Sequence, residues 1–200
     1  MNPARKALRD GTAEAHDRVD AAFAGFDLTD RAGYAAFLRA HAEVLLPLED
    51  ALDAAGAERI IADWPERRRS ALLKEDLAFL PPPRHPREGG HPDSQAAPSA
   101  TLNPRLRGDD DWGLDNDAAI AGALYVIEGS RLGGRFLARQ LPHGFPREFL
   151  DANQEPARWR NLLDRLETIL YQPPLLQSAL AAASKVFEAF ERSAERWAKG

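Results

Sequence analysis

Two places in the chain carry residues that could do chemistry, and they are far apart in sequence. One is His16, within LRDGTAEAHDRVD. The other is GALYVIEGSRLGGRFLARQL, residues 122 to 141, where helical apolar spacing is interrupted by Gly129, Gly133 and Gly134. An interior glycine costs a helix about 1 kcal/mol relative to alanine, so three so close together need a reason. Two remain open: close approach of a second helix, as small residues four apart allow, or a flat ligand lying against bare backbone. His16 is equally double-sided, since an imidazole on an apolar helix face is either a hydrogen-bonded core residue or a metal ligand. Neutral imidazole is the usual protein ligand of haem iron, and a histidine opposite a glycine-kinked helix would make a sandwich for a planar cofactor.

The elements that must hold these groups are helical. Leu8, Thr12, Ala15, Val19 and Phe23 recur at three- and four-residue steps over residues 2 to 24, with His16 on the same side. A second helix is expected from a cap at Thr29 or Asp30 to Gly56, with Tyr34, Phe37, Leu38, His41, Leu45, Leu48 and Leu52 inward and Pro47 inside it. His41 carries the same ambiguity as His16. A third fits PERRRSALLKEDLAFL, opened by Asp63 as cap and Pro65 in the first turn, with Arg67, Arg68 and Arg69 as a solvated face. The glycine-bearing helix follows the cap candidates Asp115 and Asp117. Helices over 156 to 170 and 174 to 199, separated by the breaker YQPP, close the chain; Leu176, Leu180, Ala183, Phe187 and Phe190 form one stripe. No period-two run is long enough for a strand, so the fold class is all-α, a single-domain helical bundle over residues 1 to 200.

Residues 81 to 112, PPPRHPREGGHPDSQAAPSATLNPRLRGDDDW, interrupt this pattern. They are poor in large apolar side chains and are expected to form a disordered or loosely packed insertion outside the bundle. His85 and His91 within it lack carboxylate or cysteine partners at metal-site spacing.

Composition excludes several functions. With 200 residues, 44% of them hydrophobic, the chain suits one globular domain. A net charge of -5 argues against a nucleic-acid surface. The absence of cysteine rules out disulfides, thiolate metal sites and a cysteine nucleophile. Charged residues break every candidate membrane span and the N-terminus lacks a signal-peptide core, so a cytoplasmic protein is expected.

LRDGTAEAHDRVD and LYVIEGSRLGGRFLARQL together resemble the haem oxygenase family, in particular bacterial members associated with phytochromes. The resemblance extends to RWRNLLDRLE and SKVFEAFE, and so to most of the chain outside the insertion. It implies a haem sandwiched between a proximal and a kinked distal helix, with His16 as iron ligand from the T-x-E-x-H element. It also implies a distal wall of Gly129, Ser130, Gly133 and Gly134, from a G-x-x-x-G-G element. Haem would be both prosthetic group and substrate, opened with dioxygen to biliverdin, carbon monoxide and ferrous iron. Electrons would come from a ferredoxin or reductase, and a phytochrome could accept the biliverdin. Where animal members carry an aspartate after the first glycine, this chain has Ser130, whose hydroxyl can donate and accept but carries no charge.

Haem propionates need basic partners. Arg9, two helical turns before His16, and Arg160 match basic positions of the family, and each could equally be a solvated surface arginine. Phe187 and Phe190 line the pocket or fill the core. Arg131 and Arg135 flank the glycines and are read either as an exposed cationic face or as propionate contacts. Competing readings are a haem carrier or sensor without turnover, another enzyme on the same helical scaffold, and an interaction module whose glycines serve packing.

Overall fold

The computed structural model describes residues 3–82, 111–152 and 155–199. Their regular elements are all helical, as expected: α1 (Pro3–Phe23), α2 (Arg31–Ala55), α3 (Ser70–Ala78), α4 (Asp117–Gly129), α5 (Arg131–Ala138), α6 (Glu148–Asp151), α7 (Pro156–Ile169) and α8 (Pro173–Ala198), with 3-10 turns at Ala57–Arg59 and Pro65–Arg67. Among these, no helix is long and apolar enough to cross a membrane. The expected insertion, with His85 and His91, falls almost entirely outside the described residues, but its last residue, Trp112, is buried in the core.

The C-terminal helix α8 is the centre of the bundle, packed against α1, α2 and α4. Gly122 of α4 explains how two helices come so close: a Cβ built there would lie 2.1 Å from the Ala179 carbonyl oxygen of α8. Only a bare backbone fits that crossing. At Gly11 of α1 a Cβ would lie 2.7 Å from a Leu180 methyl, so α1 also nests tightly on α8.

Helix ends are secured from within the chain and across it. Asp30 caps α2 by accepting from the amides of Ala32 and Gly33, and Gly56 closes it in the left-handed conformation. The α1 amides of Ala4 and Arg5 donate to the Glu167 carboxylate of α7 at 3.2 and 2.8 Å. A carboxylate there satisfies first-turn donors and opposes the positive end of the helix dipole.

The expected helix over PERRRSALLKEDLAFL divides in two. Arg68 is extended (φ -63, ψ 139), and α3 starts only at Ser70. Residues two apart point to opposite sides of a helix but to the same side of an extended segment. The break therefore lets Arg67 and Arg69 both turn inward, and both are buried, contrary to the solvated face expected. Asp63 is no cap; it pairs with Arg67 Nε at 2.9 Å. The N-terminus of α3 is instead satisfied by Glu49 of α2, buried itself, which accepts from the Arg69 and Ser70 amides at 2.8 and 3.0 Å and from the Ser70 hydroxyl at 2.5 Å.

Candidate functional site

The glycine-rich segment is not one helix. It ends as α4 at Gly129, turns at Ser130 and resumes as α5 at Arg131. A Cβ at Gly129 would make only ordinary contact with the Trp159 ring, at 3.6 Å, and at Gly133 it would meet nothing within 4 Å. Helix packing thus explains Gly122 but neither Gly129 nor Gly133. Gly133 is exposed, whereas Gly134 is buried.

His16 stands at the edge of the buried stripe formed by Ala4, Leu8, Thr12 and Ala15 rather than within it, and its side chain is 59% exposed. Its Nδ1 lies 3.2 Å from Asp20 Oδ2, one turn on. Its ring meets Phe187 of α8 edge-on, with centroids 5.9 Å apart. Phe187, expected either as pocket lining or as core, is buried and touches the candidate ligand.

Two routes of contact join the neighbourhood of His16 to the turn at Ser130. Along the first, Thr12, one turn before His16, lies near the Tyr125 hydroxyl of α4, its own hydroxyl donating to the Leu8 carbonyl at 2.8 Å. Tyr125 packs on Trp159 of α7 at 5.7 Å, and Trp159 backs Gly129. The second runs from Phe187 to Phe190, one turn along α8. Phe190 meets the His41 ring at 5.8 Å, His41 meets Phe149 at 5.5 Å, and the Arg69 guanidinium lies 4.9 Å over Phe149. Arg69 Nη2 then donates to Ser130 Oγ and to the Ile127 carbonyl, each at 2.9 Å.

Beneath the turn lies a buried ionic cluster. Glu128 accepts from Arg67 Nη1 at 2.9 Å and from Arg131 Nε at 2.7 Å, and Arg131 also donates to the Arg67 carbonyl. Arg131 is consequently buried, which decides against the exposed face; Arg135 is exposed. Buried charges of this kind persist only when paired. Burial, reinforced by the cation of Arg131, lowers the Arg69 pKa to about 9, and burial lowers that of His41 to about 4.

The model of the family described as heme oxygenase matches residues 2–196. The chain belongs to the haem oxygenase family. A relative named heme oxygenase, from Xanthomonas campestris pv. campestris (strain 8004), is 32% identical over 163 residues, covering 78% of this chain and 86% of the relative. Among solved structures, haem oxygenase from Leptospira interrogans matches with a TM-score of 0.68 over 98% of this chain and 100% of the other; at 23% identity that likeness is one of fold.

Within this haem oxygenase fold, the basic residues expected near the propionates are both at the surface. Arg9 donates to Asp10, its sequence neighbour, at 2.9 Å and adds its charge near Tyr125. Arg160, on α7 beside Trp159, is exposed and has no ion-pair partner among the described residues. Sequence reasoning missed Arg67, Arg69, Glu49 and Glu128 as parts of the site's support. The signal was present in VIEG: a carboxylate in an apolar helical run demands a buried cation, and the only run of three arginines in the chain precedes α3.

Proposed function

We propose that this haem oxygenase binds haem through His16 and opens the porphyrin ring with dioxygen to give biliverdin, carbon monoxide and ferrous iron, using electrons from a ferredoxin or reductase. The observation that carries the reading is the His16 geometry. With Nδ1 directed to Asp20, Nε2 is the nitrogen left for a metal, and a carboxylate on the other ring nitrogen is the usual partner of a ligating imidazole. The distal side leaves room for the same group: Gly133 faces open space.

Bound haem supplies the redox-active iron at which dioxygen is activated, and it is also the substrate. The residues provide holding and shape. His16 is the proximal ligand. Arg9 and Arg160 are the cations offered to the propionates. Gly129, Gly133 and Gly134 keep the distal wall thin, and Phe187 backs the proximal imidazole.

Titration of the protein with haemin, beside His16→Ala, followed by reductant in air, tests this. A His16-dependent Soret band that gives way to red bilin absorption is the expected result. A His16-dependent band that persists would show a carrier or sensor. Absence of saturable binding would overturn the reading.

A further inference from the structure

We propose that Arg69 is a positioning residue for the distal wall: by taking the Ile127 carbonyl out of the helical ladder it makes the break between α4 and α5, and so fixes where α5 and Gly133 stand. What concerns haem in this rests on the reading above. The glycines do not make the break. Ser130, the one residue between the two helices, has helical dihedrals (φ -60, ψ -23), and Gly129, Gly133 and Gly134 are not among the positive-φ glycines of the described residues. The conformational freedom peculiar to glycine is unused here.

What interrupts the helix is a pair of side chains. The ladder of α4 runs up to the Ser130 amide, which donates to the Val126 carbonyl at 3.0 Å. The next carbonyl, Ile127, would receive the Arg131 amide in an unbroken helix. It receives instead Arg69 Nη2 at 2.9 Å and Ser130 Oγ at 2.8 Å, and a carbonyl oxygen has two lone pairs, so both are taken. Side chains that enter the ladder in this way are a recognised cause of helix kinks. The guanidinium is also held from the other side, 4.9 Å over the ring of Phe149 in α6, the helix on which α5 packs.

Arg69 is an unfavourable group to keep in this place. It is 6% exposed, and the carboxylates whose charge reaches it, Glu128 and Glu49, are engaged with Arg67, Arg131 and the start of α3. Its Nε has no hydrogen-bond partner, and burial brings its pKa down to about 9. A buried cation without a dedicated anion detracts from stability. The turn it holds, rather than folding as a whole, accounts for its presence.

Amide hydrogen exchange in the haem-free protein reads the break directly. In Arg69→Met the Ile127 carbonyl is released to the Arg131 amide, whose exchange should slow about fivefold or more relative to its neighbours while the melting temperature holds or rises. Arg69→Lys, which keeps a cationic donor, should lie nearer the wild type. Gly129→Ala, whose methyl would make only ordinary contact with Trp159, should leave the Arg131 amide as it is. As a haemin complex, Arg69→Met should keep the His16-dependent Soret band and lose about tenfold or more in the rate of bilin formation under reductant in air, because a displaced α5 no longer shapes the reacting face. If Arg69→Met does not fold, Arg69→Gln, too short to reach the Ile127 carbonyl, carries the same measurements. Arg131 exchange that stays unchanged, or that moves in step with every other amide, would overturn the proposal, as would slowing by Gly129→Ala. An undiminished rate of bilin formation would overturn the positioning role. Failure of the wild type to give the His16-dependent band would overturn the haem reading and that role with it, whereas the exchange result decides the origin of the break alone.

Discussion

Arg67 of the 3-10 turn and Glu128 of α4 meet at 2.9 Å with 1% and 3% of their side chains exposed. Glu128 also holds Arg131, so one buried carboxylate bridges two interior cations, of which Arg67 has a second partner in Asp63. Glu128→Ala would strand Arg131 and leave Arg67 with Asp63 alone, and breaking a buried pair in this way costs about 3–5 kcal/mol. Urea denaturation of the haem-free protein should show that loss. Glu128→Gln, which can still accept one hydrogen bond, should cost less.

Two glycines of the same segment should respond in opposite ways. Gly122→Ala forces a methyl against the Ala179 backbone, and because neither main chain can yield without moving a helix, a loss of about 3 kcal/mol is expected. Gly133→Ala meets open space and should leave the haem-free protein unchanged or up to about 1 kcal/mol more stable. The same methyl should weaken haemin binding. Thermal melts with and without haemin check both halves, and equal destabilisation by the two would refute the distinction between packing and cleft glycines.

Asp20→Asn should keep the fold and the Soret band but loosen haemin, because the partner of His16, the ligand proposed above, no longer carries charge. Loss of such a partner costs about tenfold or more in metal affinity. Competition for haemin with apomyoglobin would measure it. An unchanged affinity would mean that the 3.2 Å contact has no bearing on ligation.

His41 should give the haem-free protein an acid sensitivity. Its folded pKa of about 4 lies below the ordinary 6.5, because burial among Phe23, Phe37, Phe149 and Phe190 disfavours the imidazolium. As pH falls through 6.5 the unfolded chain takes up a proton that the folded chain refuses until about pH 4, so this group's contribution to stability declines between those values and is constant below them. The span corresponds to at most about 3 kcal/mol. Denaturant midpoints measured from pH 7 to 4 should fall more steeply for the wild type than for His41→Phe.

The helices were legible because each carries its own period and punctuation. Asp30 and Gly56 bracket α2 where a cap and a left-handed glycine were expected, and the stripe from Leu8 to Ala15 faces the core. The motif around His16 and the glycine-rich segment led to the right family. What could not be read was long-range pairing. Three consecutive arginines look solvated until Glu128, some sixty positions later, and Glu49, some twenty earlier, are known to lie beside them. The two kinds of glycine were equally unreadable: Gly122 and Gly133 have the same local sequence logic, and only the presence of Ala179 against one and of nothing against the other separates them.

Gly122 of α4 and Gly11 of α1 lie directly against the Ala179 main chain and a Leu180 methyl of α8, which also carries Phe187 and Phe190. On the other side, α5 exposes Leu132, Gly133 and Phe136 to solvent and is tied down at its first residues through Ser130 and Arg131. The two walls proposed for haem are therefore unlike: α8 is buried between three helices, whereas α5 packs on α6 with one face and leaves the face carrying Gly133 bare to whatever lies against it.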